Sequence, residues 1–251
     1  MPGTLSEVVT TGTATGESGV PTSLAPVYDF VMPRRLDFAA QHRTVVEALG
    51  PDATSVLECA CGTGHLLAHL DDTYEQVMGV HCDAALLEHA ADRTRADLRV
   101  GDPRDLSLPR TFDGVVLLRG SLGHATTDAG LDGVFASAAD HLAPGGTFVF
   151  DARDVAGLGT EATTCESYES DRYRVVRATE TTVTDRDAAL ARTDRTYEVT
   201  DRRTGRTTSL GHAVERRCFG PEQLRSHLAE AGFRDVGIET TDGVHTVVAR
   251  P

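Results

Sequence analysis

The chain has 251 residues, 40% of them hydrophobic and 25% charged, and a net charge of −14. That length carries one full core with an elaboration, and the composition is that of a chain folded in water. The acidic balance argues against a nucleic-acid partner, which needs a basic surface, and no apolar run reaches the roughly 18 residues of a membrane span, so no membrane partner is expected either.

All 24 basic residues are arginine. Chemistry that needs lysine is thereby excluded: a Schiff base, a phosphate-loop lysine, a Tyr–Lys pair. The cysteines Cys59, Cys61, Cys82, Cys165 and Cys218 lack zinc-site spacing. They read as free thiols, and no metal is expected. No basic-then-apolar leader opens the chain, so a cytoplasmic location is expected.

Residues 1–23, rich in Gly, Thr and Ser, read as a disordered tail. A helical pattern runs over 24–49, with Phe38, Val45, Val46 and Leu49 on its apolar side, and stops at Gly50-Pro51. Strand and helix signals then alternate. SVLE (55–58) is a strand and GHLLAHL (64–70) a helix; YEQVMGV (74–80) is a strand and DAALLEHAADRT (83–94) a helix. DLRVG (97–101) and FDGVVLL (112–118) are strands, GLDGVFASAADHL (130–142) is a helix, and TFVFDA (147–152) is a strand. This alternation implies a parallel sheet with helices on both faces.

After Arg153 the rhythm changes. Segments 172–184, 188–199 and 207–218 read as long strands joined at TDRDA and DRRTGR, an antiparallel arrangement. Along them Tyr173, Val175, Tyr197 and Val199 alternate, facing a pocket or the main sheet. The arginines near 202–206 and 216–217 read as surface charges paired with nearby acids. PEQLRSHLAEAGF (221–233) is a helix, and VGIETTDGVHTVVAR a hairpin turning at Asp242-Gly243. The chain thus divides into an α/β domain, 24–154 with 216–251, and an inserted antiparallel sheet, 155–215. The insertion would cap a substrate site or form an oligomer interface, its unpaired edges offering a seam for a homodimer.

LECACGTGHL (57–66) carries the strongest chemical signal. A strand runs into Gly62-x-Gly64 and then a helix. Glycines let the backbone bend sharply and approach a ligand, and free N–H groups at a helix start favour polar or anionic groups. Glu58 at the strand tip can accept from an ammonium or hydroxyl. A dinucleotide fingerprint would need a third glycine where Leu67 stands.

The run ECACGTG resembles motif I of the class I S-adenosylmethionine-dependent methyltransferases. GVHCDAALLEHA is similar to their second strand and helix, RVGDPRDLSL to the segment with the adenine-side acid, and FDGVVLLRGSLGHA with HLAPGGTFVFDAR to the fourth and fifth strands. RCFGPEQLRSHLAEAGF is similar to the late helix, and LAPVYDFVMP to the lid helix of small-molecule members. The nearest likeness is to enzymes that N-methylate amino sugars and small amines. The resemblance implies an α/β, Rossmann-like, mostly parallel seven-stranded sheet with an antiparallel C-terminal hairpin.

It also implies a cofactor, S-adenosyl-L-methionine, and a small-molecule acceptor methylated on an amine nitrogen or a hydroxyl. Glu58, Ala60, Gly62, Thr63 and Gly64 would form the loop around the cofactor. His81 stands where the family carries the acid that grips both ribose hydroxyls, with Cys82 beside it. A neutral imidazole has one acceptor and one donor, so its grip would be weaker. Asp83 is a second candidate for that role, although an Asp before an apolar-periodic run is a good helix cap. Asp102 would take the adenine amino group, with Pro103 and Arg104 flanking the ring, or else cap a helix. Leu118 and Arg119 would lie beside the methionine half. Tyr28 in the lid and His124 after the fourth strand are the catalytic candidates, orienting the acceptor and taking its proton. Arg153 would meet an anionic group of the acceptor. His65 and His69 show no carboxylate partner and read as surface or packing residues. Two rival readings are a cofactor-binding protein without methyl transfer and an NAD-dependent oxidoreductase, the latter opposed by Leu67 and the missing lysine.

Overall fold

The computed structural model describes residues 5, 24–159 and 162–251. The expected disordered tail therefore lies, Leu5 apart, outside the described residues. The single helix expected over 24–49 is two, α1 (Ala25–Arg35) and α2 (Phe38–Leu49). Pro33 sits near the end of α1, Leu36 is extended, and the Asp37 carboxylate accepts from the Ala40 N–H at 2.8 Å to start the next helix.

The alternating elements follow as β1 (Ser55–Cys59), α3 (His65–Asp71), β2 (Gln76–His81), α4 (Ala84–Ala91), β3 (Asp97–Val100), β4 (Phe112–Leu117), α5 (Asp128–Asp140) and β5 (Leu142–Arg153). Four long strands come next: β6 (Ala162–Glu169), β7 (Tyr173–Asp185), β8 (Leu190–Asp201) and β9 (Thr207–Arg217). The chain closes with α6 (Pro221–Glu230), β10 (Asp235–Thr241) and β11 (Val244–Arg250). Asp242 and Gly243 turn the last hairpin at φ 51° and 71°, the left-handed pair that matches strand twist.

The main sheet has seven strands in the order β10-β11-β5-β4-β1-β2-β3. Strands β1 to β5 run parallel, and β11 is antiparallel to β5. Phe112, Phe135, Phe148, Phe150 and Phe233 pack in one core cluster, and Val45, Val56, Leu66, Leu67 and Val116 in another. Each such side chain contributes about 1.5–3 kcal/mol on burial. Strand order reverses between β1 and β4, which opens a crevice at their carboxyl ends.

The second sheet runs β6-β7-β8-β9, antiparallel throughout. Its first strand, ATTCESYE, is absent from the sequence-based expectation. Val175, Tyr197, Val199 and Leu210 pack against Leu24, just before α1, and Val27 and Val31 within it, and Tyr173 adjoins them. Their partner is thus α1, a correction to the expectation that they pack on the main sheet. No described helix is long and apolar enough to cross a membrane.

Gly64 has φ 78°, and a Cβ there would lie 2.8 Å from the Ala90 Cβ. Gly64→Ala should cost about 1–3 kcal/mol through overpacking of α3 on α4, read as a lower urea midpoint at unchanged slope. An unchanged midpoint would show that the two helices separate freely.

Candidate active site

Three residues after β1 hold the left-handed conformation: Ala60 at φ 55°, Gly62 at φ 61° and Gly64 at φ 78°. They wind the loop tightly between β1 and α3, and the Cys61 N–H ties it to the Val80 carbonyl at 3.0 Å. A Cβ on Gly62 would meet nothing within 4 Å. That open side leaves room for a ligand to approach the backbone.

Glu58 is fully buried at the tip of β1. One carboxylate oxygen accepts from Arg119 Nη2 at 2.7 Å; the other is buried with no partner. Burial raises the Glu58 carboxyl above its ordinary range, and Arg119 offsets this only in part. Arg119 itself has φ 67°. Its N–H and that of Gly120 donate to the two oxygens of Asp151 at 2.8 and 2.6 Å, and Nη2 also reaches the Ala60 carbonyl at 2.9 Å. Arg119 is thus a held partner of the buried acid. Leu118 differs: its side chain is in the core with Phe38 and Val45.

His81 ends β2, and its Nδ1 accepts from the Gly62 N–H at 3.2 Å. A neutral ring that accepts at Nδ1 carries its proton on Nε2. The imidazole therefore fastens the glycine loop, and its remaining nitrogen is a donor that also feels the Ala60 backbone, not the acceptor-and-donor pair expected for two hydroxyls. Burial, then Arg119, pushes its pKa down to about 4. Asp83 caps α4, accepting from the Ala85 N–H at 2.9 Å.

Asp102 grips Arg104 through the Nε and Nη2 atoms, the shortest contact being 2.6 Å, and also accepts from the Arg104 N–H. A turn and not a helix follows, so the cap reading is replaced by an acid chelated to its own neighbour. Arg104 holds that carboxyl below the usual range. Cys82 is exposed, and its thiol is pushed up by partial burial and by Asp102. Pro103 lines a small apolar cavity with Leu57, Val115 and Val134.

Helix α1 lies over this loop. Asp29 pairs with Arg93 at 2.8 Å and His65 at 3.2 Å, and Arg93 also donates to the carbonyl of the buried Thr63. His65 therefore has a carboxylate partner after all, and stacks on Phe38 at 5.0 Å. Tyr28, one residue before Asp29, turns its ring towards Tyr197 and His212, at 6.1 and 6.5 Å between centroids.

His124 ends a short 3-10 turn, Ser121–His124, after β4. Its ring edge is open to solvent, and its Nε2 lies 3.3 Å from Arg216 Nη2. The protein packed around it, then Arg216, Arg195, His212 and His81, pushes its pKa down to about 3. Arg216 is thus directed inward, a correction to its reading as a surface charge. Arg217 pairs with Asp128 at 2.7 Å and Arg202 with Glu169 at 3.5 Å, as expected of surface arginines. Arg153 is exposed at the end of β5, near enough to Arg216 to repel it.

Glu58, Arg119, His81 and the glycine loop therefore meet at one place, with Tyr28 and His124 brought towards the second sheet. Four residues of this region escaped the sequence reading: Asp29, Asp151, Arg195 and His212. The available signal was period-two parity, which puts Arg195 on the face of Tyr197 and Val199, and His212 and Arg216 on that of Leu210 and Val214.

A methyltransferase domain family matches residues 56–146. The dTDP-3-amino-3,4,6-trideoxy-alpha-D-glucopyranose N,N-dimethyltransferase of Streptomyces venezuelae is 38% identical over 132 residues, 51% of this chain and 56% of that one. The match thus spans about half the length of the curated relative. DesVI from Streptomyces venezuelae superposes with a TM-score of 0.83 at 28% identity, over 90% of this chain and 98% of its own. The sugar N-methyltransferase KedS8 from Streptoalloteichus sp gives 0.79 at 27% identity, over 96% of each chain.

Proposed function

We propose that this chain, whose residues 56–146 match a methyltransferase domain family and whose fold is similar to that of DesVI, transfers a methyl group from S-adenosyl-L-methionine to the amine of a small amino sugar. The curated relative's name points further, to a nucleotide-activated sugar as the acceptor.

The carrying observation is the Glu58–Arg119 pair. A buried carboxylate with one oxygen still unpartnered, beside a fixed guanidinium, suits a zwitterion such as an amino acid end: ammonium to Glu58, carboxylate to Arg119. Ala60, Gly62, Thr63 and Gly64 would shape the loop against the cofactor. The His81 Nε2–H would donate to a ribose oxygen, and Cys82, Asp102 and Pro103 would border the adenine. When bound, the cofactor supplies a methyl group on positively charged sulfur, open to displacement by an amine lone pair. The protein's task is then alignment, which supplies about 7–11 kcal/mol of a barrier. Tyr28 orients the acceptor under the lid, and His124 takes its ammonium proton.

Calorimetric titration with S-adenosylmethionine, S-adenosylhomocysteine and NAD tests the reading. The two sulfur ligands should bind and NAD should not; binding of NAD alone would sink it. Labelled-methyl transfer to amino-sugar nucleotides separates an enzyme from a protein that only binds. His81→Asp should tighten S-adenosylhomocysteine about three- to ten-fold, since a carboxylate accepts from both ribose hydroxyls and a charged hydrogen bond adds about 1 kcal/mol or more. Weaker binding would mean that the clamp on Gly62 outweighs the gain. With its pKa held near 4, wild-type His81 stays neutral at pH 6–8, so its contribution to cofactor affinity should be flat there.

A further inference from the structure

The inner face of the second sheet is built in rungs. One reads Tyr168, Val175, Val199 and packs on α1; the next reads Glu166, Arg177, Tyr197, Leu210. The third reads Thr164, Thr179, Arg195, His212. On it Thr179 Oγ1, Arg195 Nη1 and both ring nitrogens of His212 are buried with no hydrogen-bond partner. His212 is only 9% exposed. Arg216, further along β9 on the same face, leaves its Nε buried and unpartnered too.

This is a surplus of buried positive charge in a chain of net charge −14. Burial and then Arg195 push the Arg216 guanidinium down to about 10, and burial with both arginines pushes His212 down to about 4. Neither guanidinium has a carboxylate in ion-pair contact among the described residues. Asp151, the acid that attracts Arg216, is engaged by the Arg119 and Gly120 amides, and Asp194 is held by Arg192. Buried donors and cations without partners are costly, so a row of them on one face of the sheet points to an anionic ligand.

We propose that Thr179, Arg195, His212 and Arg216 seat an anionic group of the acceptor, the phosphate oxygens of a sugar phosphate ester, and that filling this seat draws Arg216 away from His124. The inference rests on the proposed methyl transfer, with His124 beside the acceptor amine. While Arg216 donates to Nε2, that nitrogen's lone pair is engaged and cannot take a proton. An anion on the two guanidiniums releases the contact and weakens the positive field on the imidazole. The ammonium proton then passes to His124 Nε2, leaving the lone pair on the acceptor nitrogen. An amine without the anionic group would leave the base blocked, so the contact also selects the acceptor. The charged groups facing His124 come from several elements: Arg195 on β8, His212 and Arg216 on β9, His81 on β2 and Asp102 after β3. Arg153 and Asp151 on β5 and Tyr28 on α1 act on Arg216 in turn.

The test is an NMR titration of the His124 imidazole in the full chain with S-adenosylhomocysteine, assigned with His124→Gln, alone and with pyrophosphate or glucuronate. The expected midpoint lies well below pH 5 in the absence of anion and rises by about one unit or more with pyrophosphate. Arg216→Gln should start higher and respond less. Arg195→Gln should weaken pyrophosphate about ten-fold or more while still binding S-adenosylhomocysteine, which shows that it is folded. An unmoved midpoint at saturating pyrophosphate, or wild-type pyrophosphate affinity in Arg195→Gln, overturns the seat. A response to glucuronate and not pyrophosphate overturns the phosphate assignment. Wild type that binds pyrophosphate but not S-adenosylhomocysteine upholds the seat and removes the methyltransferase reading instead.

Discussion

His124→Asn should lower kcat/KM for an amino-sugar acceptor by about 10²–10⁴-fold near neutral pH, the usual contribution of a placed general base. The loss should shrink at high pH, where water has already taken the ammonium proton and the imidazole has nothing left to do. Asparagine keeps much of the side chain's shape and a polar end, so a purely positional role would survive the change. The free chain holds the His124 pKa near 3, a value too low for a base working at neutrality. The acid limb of the wild-type kcat profile should therefore report a raised value, that of the acceptor complex. Steady-state rates for both proteins at pH 6–10 decide the matter. A loss that is equal at every pH would assign His124 to positioning alone.

Arg119→Met should destabilise the fold by about 3–5 kcal/mol, the usual result of stripping one partner from a buried ion pair. Glu58 is 0% exposed and Arg119 16% by side chain, so water screens the pair little. The sign with pH follows from Glu58. Its folded pKa lies above its unfolded one because burial outweighs Arg119. Between those two values the native state holds the extra proton, and stability falls as pH rises through that window. Without Arg119 the folded pKa moves higher and the window widens upward. The deficit should thus be largest at pH 8 and smaller at pH 5, measured by urea unfolding at both. Glu58→Leu in the same chain should recover part of it. An equal deficit at both pH values would point to lost packing instead of an uncompensated charge.

Most of the main sheet was legible because its parallel strands are buried on both faces and read as short apolar runs, such as Val56-Leu57 and Val115-Val116-Leu117. Turn chemistry placed the last hairpin at Asp242-Gly243 and the joints of the inserted strands. Strand β6 was not legible: Thr, Ser and Glu on an edge strand give no apolar alternation. The break between α1 and α2 was hidden because apolar spacing continues across Leu36-Asp37. The glycine loop and the position of His81 could be read from spacing along the chain. The bond from Gly62 to His81 and the ion pair from Arg119 to Glu58 could not, since 19 and 61 residues separate the partners. Arg195 and His212 were half legible. Parity put them with Tyr197 and Leu210, but only the register between β8 and β9 sets them side by side.

The two sheets are joined where β5 leaves for the insertion and where α6 returns from it. Substitutions at alternate positions of β7, β8 and β9 therefore alter the face under the lid without touching the strand ends around Glu58 and His81. On the proposed reading, what is grasped and what reacts belong to separate layers of one chain. Such a chain can change its customer while keeping its trade: a new acceptor needs a rewritten rung, not a rebuilt crevice.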